Sequence, residues 1–269
     1  MRTIAQISDL HFGRHSLSVA EDLLASLHQY NPDLVALSGD FTQRARRTEF
    51  AEARKFLDRI SQPKLVVPGN HDVPLYNLFD RFVTPFEKYD RYVAPVGHPA
   101  NFFRDDEIAV LGLNTARSFT RKNGRVSLEQ IAQVGRVFRD VPREIIKGLV
   151  THHPLGAPTS EAVLELAGRS PLALKTIADA GVHLLLSGHH HRALSGGIAE
   201  MGGGGSVLVV HAGTAISTRI RGGEGNNYNL VCVTLEHISV RVMEWTAGSG
   251  FRESRTLSFI FQERCWRPE

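Results

Sequence analysis

Five short apolar runs in this 269-residue chain each lead into a side chain able to bind a metal. "TIAQIS" leads to Asp9 and His11, "DLVALS" to Asp40, and "KLVVP" to Asn70, His71 and Asp72. Further on, "KGLVT" meets His152 and His153, and "VHLLLS" meets His189, His190 and His191. Amphipathic stretches with helical spacing lie between several of these runs, and strands alternating with helices specify α/β layers. In an open α/β sheet the loops beyond the strand C-termini converge on one crevice. Residues distant in sequence are therefore expected to meet at one sheet edge. A single aspartate at a strand end is an ordinary turn former, and a single histidine an ordinary solvated side chain. Five such endings in series are not.

The helical stretches are 18–30, where Ser18 and Glu21 have capping-box spacing, and 48–60. Another helix is expected from Ser127, with Gln130 completing a second capping box, and another over 170–181, with Pro171 in its first turn. The aromatic segment 75–93 reads as helical in pieces, broken near Pro85, and its aromatic stripe is expected to be buried rather than to cap the site. Runs at 108–114 and 206–212 and a pair within 228–245 add strands, so a mixed sheet with antiparallel members is predicted. The glycine-rich stretch 201–206 reads as a turn between strands, because no phosphate-loop lysine or following helix supports a nucleotide cradle. No internal repeat or low-complexity linker divides the chain. One domain over 1–269 is expected, with the motifs in 1–215 and further strands and a tail in 216–269.

The composition is that of an ordinary globular protein, 42% hydrophobic and 22% charged. A net charge of +3 suits an anionic substrate but lacks the dense basic stripe of a dedicated nucleic-acid binder. Cys232 and Cys265 lie in dissimilar contexts without CxxC spacing and are expected to be reduced thiols. The N-terminus has no apolar signal region, and no run of about 18 apolar residues predicts a membrane span. A cytoplasmic location is expected.

Carboxylate, amide oxygen and imidazole without thiolate suit manganese, iron, zinc, cobalt or nickel rather than a structural cysteine–zinc site. There are more donors than one tetrahedral ion needs, which implies two ions sharing a carboxylate. Such ions, about 3.5–4 Å apart, stabilise both the attacking and the leaving oxygen of an in-line phosphoryl displacement.

In order, "DLH", "GD", "GNHD", "H" and "GHHH" resemble the motif series of the calcineurin-like metallophosphoesterases, over residues 9 to 191. The resemblance implies a four-layer α/β/β/α sandwich of mixed sheets with a di-metal centre at the sheet edge. It implies Asp9, His11, Asp40 and His191 as ligands of one ion, and Asp40, Asn70, His152 and His189 as ligands of the other. Manganese, iron, zinc or a mixed pair of divalent or trivalent ions is expected there, with a bridging water or hydroxide. The family's H-x-P loop selects His152 over His153 as ligand, leaving His153 to support the site or touch substrate. His71 resembles the family's non-ligand histidine, suited to protonating the leaving oxygen, and Asp72 is expected to orient His71 or an adjacent loop, so both count as candidate catalytic residues. His190 falls at the variable position of GH-x-H; in an extended segment His189 and His191 would share a face, with His190 turned away.

"GDFTQRARRTEF" departs from the segment typical of the family's protein phosphatases. The chain is more similar to the bacterial class III cyclic-nucleotide phosphodiesterases, which implies a small phosphodiester substrate, most simply a nucleotide. The alternatives are a broad-specificity phosphoesterase of the same family or, less readily, a non-catalytic scaffold. After the strand at 206–212, Arg219, Arg221, Asn227 and Tyr228 are candidate substrate-binding residues, the arginines for a phosphate and the tyrosine for stacking on a base. Solvated arginines in a hairpin turn are an equal reading. The tail "ERCWRPE" suggests disorder or docking on a partner subunit, which leaves a homodimer open.

Overall fold

Strand alternation decides the layers. β1 (Arg2–Ile7) sends Ile4 to one side, and Ala5 and Ile7 to the other. The computed structural model describes residues 1–120, 122–158, 164–198, 206–220 and 223–269. β2 (Leu34–Leu37) and β3 (Lys64–Val66) run parallel to β1. Four C-terminal strands extend the same sheet on its other side as antiparallel neighbours: β10 (Asn227–Val233), β11 (His237–Thr246), β12 (Gly250–Gln262) and β13 (Cys265–Pro268). The order is β13-β12-β11-β10-β1-β2-β3.

A second sheet contains β4 (Phe102–Arg104), β5 (Ile108–Leu113), β6 (Ile146–Thr151), β7 (Leu184–Ser187), β8 (Leu194–Gly197) and β9 (Leu208–His211). Its order is β4-β5-β6-β7-β9-β8, with β5, β6, β7 and β9 parallel. The sheets face each other across Ile4, Leu34, Ala36 and Leu65 on one side and Val110, Val150, Leu184 and Val210 on the other. α1 (Leu17–Tyr30), α2 (Arg47–Leu57) and α4 (Glu87–Tyr92) cover the outer face of the first sheet through Leu23, Leu27, Phe50 and Tyr89. α5 (Leu128–Arg139) and α6 (Ser170–Asp179) cover the second through Ile131, Phe138 and Ile177. The result is the α/β/β/α stack with mixed sheets. No helix among the described residues is long and apolar enough to cross a membrane.

Three local expectations need correction. α1 is capped by Ser16, in extended conformation with its Oγ accepting from the Val19 amide, so Ser18 lies inside the helix. The aromatic segment does form two short helices around Pro85, α3 (Leu78–Val83) and α4, but most of its apolar side chains before Pro85 are exposed rather than buried. The tail is neither loose nor free: β13 pairs with β12, and Trp266 packs into the inter-sheet core. By contrast, Ser127 and Gln130 form the expected capping box, at 3.1 and 2.9 Å. Cys232 and Cys265 are unpaired. Positions 201–205 of the glycine run, and Arg221, lie outside the described residues.

Candidate metal centre

The ends of β1, β2, β3, β6 and β7 open on one edge of the two-sheet stack, and all the candidate ligands collect there. Asp9, His11, Asp40, His189 and His191 have positive φ, between 49° and 76°. Left-handed backbone at five non-glycine residues is a local cost that the surrounding packing must sustain. Gly39 adds a sixth such position, with φ 94°, and a Cβ there would strike the His152 ring. At Gly69 a Cβ would collide with the Asp40 carboxylate.

Donor atoms from different loops converge. Asp9 Oδ1 lies 3.0 Å from His191 Nε2 and 3.5 Å from His11 Nε2, and the two imidazole nitrogens are 3.3 Å apart. On the other side, His152 Nε2 lies 3.4 Å from Asp40 Oδ1, 3.2 Å from Asn70 Oδ1 and 3.3 Å from His189 Nδ1. Asp40 turns its second oxygen towards the first group, with Oδ2 3.8 Å from His11 Nε2. Bonds of about 2.0–2.1 Å to an ion set neighbouring donors roughly 3.0–3.4 Å apart, which is the spacing most of these atoms adopt. Asp9 Oδ1 is buried and accepts no hydrogen bond despite those nearby nitrogens. An orphaned carboxylate oxygen facing crowded imidazole nitrogens is what an ion would satisfy, so the donor set suits metal.

The outward atom of each of these side chains is fixed by hydrogen bonds of its own. Asp9 Oδ2 accepts from Ser8 Oγ at 2.5 Å and from the His189 amide at 3.0 Å. His152 Nδ1 is 2.7 Å from the Ser38 carbonyl, which holds its Nε2 towards the cluster. His11 Nδ1 and His191 Nδ1 meet the carbonyls of Thr42 and Arg219, each at 3.3 Å. Such bonds set tautomer and ring direction. Burial alone would raise the Asp9 and Asp40 carboxyls, but the neighbouring imidazoles hold both well below the usual carboxylate range. Burial and the adjacent His152 push His189 down to about 3, so its imidazole is neutral, as metal binding requires.

The other predicted residues separate by position. His71 lies at the cleft, its ring edge-on to His11 at 4.9 Å and its Nδ1 donating to the Gln43 carbonyl at 2.8 Å. Asp72 is buried and turned away from the cluster; it accepts from the Phe41, Thr42 and Gly69 amides at 3.2, 2.9 and 2.9 Å. It braces the GD loop against the GNHD loop, in keeping with a role in holding an adjacent loop. Burial and the nearby Asp40 push its carboxyl up to about 7 against the pull of those amides. His153 is also buried, 2.9 Å from Thr115 Oγ1 and packed on the His152 and His189 rings, a position that supports the site. His190 lies outside the cluster with Nε2 3.1 Å from the Glu165 carbonyl. The segment is not extended; left-handed turns at His189 and His191 separate the three rings.

Arg219 does reach the site, donating from Nη1 to Gln43 Oε1 at 3.2 Å, beside His71. Asn227 and Tyr228 do not. Asn227 is buried, with its side chain spent on the Gly213 amide and the Gly225 carbonyl. Tyr228 is fully buried beneath α1, its hydroxyl 2.7 Å from Ser26 Oγ, because β10 alternation turns it to the helix side. The sequence reading missed Gln43, whose carbonyl holds His71 Nδ1 and whose Oε1 accepts from Arg219, and Gln6 and Asn229. Gln6 Nε2 crosses from the first sheet to the carbonyls of Ser187 and Val210 at 2.9 and 3.0 Å, and Asn229 Nδ2 donates to Gln6 Oε1 at 3.0 Å. These amides bolt the sheets together next to the cluster; a polar residue inside an apolar strand was their only signal.

Buried oxygen and imidazole donors at the edge of an α/β/β/α stack suit a metal-dependent hydrolytic centre. Residues 2–193 match the family model described as calcineurin-like phosphoesterase, and the chain belongs to that family. It is a metal-dependent phosphoester hydrolase. A probable cyclic nucleotide phosphodiesterase of a Synechococcus strain is 27% identical over 206 residues, 71% of this chain and 74% of that one. A probable glycerophosphodiester phosphodiesterase GpdQ of Arcobacter nitrofigilis is 26% identical over 60% of this chain and 57% of its own length. Among solved structures, a purple acid phosphatase from yellow lupin shares the fold with a TM-score of 0.68 at 12% identity, covering 96% of this chain and 53% of the lupin chain.

Proposed function

We propose that this protein is a di-metal phosphodiesterase acting on a small phosphodiester, with a cyclic nucleotide as its substrate. The observation that carries the two-ion reading is Asp40, whose Oδ1 faces His152 while its Oδ2 faces His11. Asp9, His11 and His191 would hold one ion with Asp40, and Asn70, His152 and His189 the other. When bound, manganese, iron, zinc or a mixed pair would acidify a water and neutralise phosphoryl charge.

The chain's own groups supply the rest. The bond from His71 Nδ1 to the Gln43 carbonyl leaves Nε2 to give a proton to the departing alkoxide. Arg219, steadied by Gln43, is placed to pair with a phosphate oxygen. Asp72 keeps the loops bearing Asp40 and His71 in register.

The choice of a cyclic nucleotide rests on likeness to the Synechococcus protein, and a glycerophosphodiester is the second reading, favoured by likeness to the Arcobacter protein. Metal-stripped protein refilled with manganese, iron or zinc separates them when assayed on 2′,3′- and 3′,5′-cyclic nucleotides, glycerophosphodiesters and an activated aryl diester. Failure on every diester under every metal refutes the proposal; a glycerophosphodiester preference replaces the first substrate with the second.

A further inference from the structure

Just beyond the GNHD loop, the chain places large apolar side chains in solvent. Leu75, Tyr76, Leu78, Phe79, Phe82 and Val83 are 37–70% exposed, and Phe119 reaches 87%. In α3, Leu78, Phe79, Phe82 and Val83 occupy one helical face, while Arg81 is buried on the opposite side. Arg81 fastens the segment by donating to the Pro74 carbonyl at 2.9 Å and the Thr120 carbonyl at 2.7 Å. Phe82 meets Phe119 with ring centroids 5.4 Å apart, so the two loops form one patch. At about 100 Å² from each half-exposed large side chain, seven side chains present several hundred Å² of apolar surface, more than a stray exposed residue accounts for.

The borders of the patch are basic. The Arg44 guanidinium lies over the Tyr76 ring at 5.6 Å, and exposed Arg46 and Arg47 follow it. Exposed Lys122 comes three residues after Phe119. Against these, α4 offers exposed Glu87 and Asp90, together with Lys88 and Arg91, and Asp80 is paired with Lys88 at 2.7 Å. The excess is positive. A two-fold contact through this face would set one basic border against another, a like-charge arrangement that costs energy.

We infer that this face docks on an anionic phospholipid surface. Phe79, Phe82, Phe119 and Leu78 enter the boundary between headgroups and acyl chains, and the arginines and lysine meet the headgroup phosphates. The cleft bearing His71 would then open beside the membrane plane. The inference does not depend on which phosphodiester is cleaved.

Flotation of the metal-loaded 269-residue chain with vesicles tests it. With equal phosphatidylcholine and phosphatidylglycerol at low salt, the protein is expected to float, with at least tenfold weaker partitioning onto phosphatidylcholine alone. Raising sodium chloride to about 0.5 M should release most of it, as screening shortens the reach of surface charge. A Phe79→Ser/Phe119→Ser variant with an unchanged thermal midpoint should lose at least tenfold in partitioning. Absence of wild-type flotation with anionic vesicles, or flotation unchanged by both substitutions, overturns the inference. So does sedimentation velocity that finds a wild-type dimer which this variant dissociates.

Discussion

Asp9 Oδ1 lies 3.0 Å from His191 Nε2, although Asp9 follows a strand of the first sheet and His191 a strand of the second. The candidate centre therefore exists only where the two sheets are packed together. Binding free energy for metal is in part free energy for that packing. Removing metal with a chelator should lower the thermal midpoint by several degrees, and refilling should restore it. Calorimetry on stripped and refilled protein checks this.

Asp40 faces both groups of donors, so its loss should be worse than that of a residue serving one group. Asp40→Ala is expected to abolish diester hydrolysis and bind less than one metal per chain. His189→Ala should lose one metal and most activity, whereas His190→Ala, whose ring faces the Glu165 carbonyl, should keep both metals. Elemental analysis after desalting reads the difference. Equal metal loss from the two histidine variants would contradict the geometry.

Asp72 joins two loops without reaching the cleft. Asp72→Ala strands the Phe41, Thr42 and Gly69 amides and should destabilise the fold by about 3 kcal/mol. Asp72→Asn keeps an acceptor and should recover most of that loss. Denaturant midpoints of the two variants give the comparison.

Tyr228 is a core residue. Tyr228→Phe removes its bond to Ser26 and should cost about 1 kcal/mol of stability with KM unchanged. A raised KM at constant stability would return it to the substrate site.

His183 sits away from the cleft, its Nδ1 accepting from the Lys147 amide at 3.1 Å. Burial and the Lys147 charge push it down to about 4. The unfolded imidazole takes its proton near pH 6.5, whereas the folded one refuses it until about 4. The stabilisation is thus complete above pH 6.5 and is lost as pH falls towards 4. The thermal midpoint should drop between pH 7 and 4.5, and by less in His183→Asn.

The series of strand endings was legible because each combines two local signals, an apolar run and a polar residue after it. Order along the chain then placed Asp9, Asp40, Asn70, His152 and His189 at one sheet edge, since parallel strands must all end on the same side. What a strand face packs against is not local. "YNLVCV" carries large apolar residues on both faces, so its pattern does not say that Tyr228 meets α1 while Val231 and Val233 meet the second sheet. Likewise an aromatic stripe has the same period whether covered or bare; only the tertiary fold left Leu78, Phe79 and Phe82 of α3 in solvent. Which residue types and strand ends meet was thus set by the sequence itself. Which atoms face inward, such as Nδ1 of His189 but Nε2 of His152, was decided by tertiary hydrogen bonds and left-handed turns between loops of two different sheets.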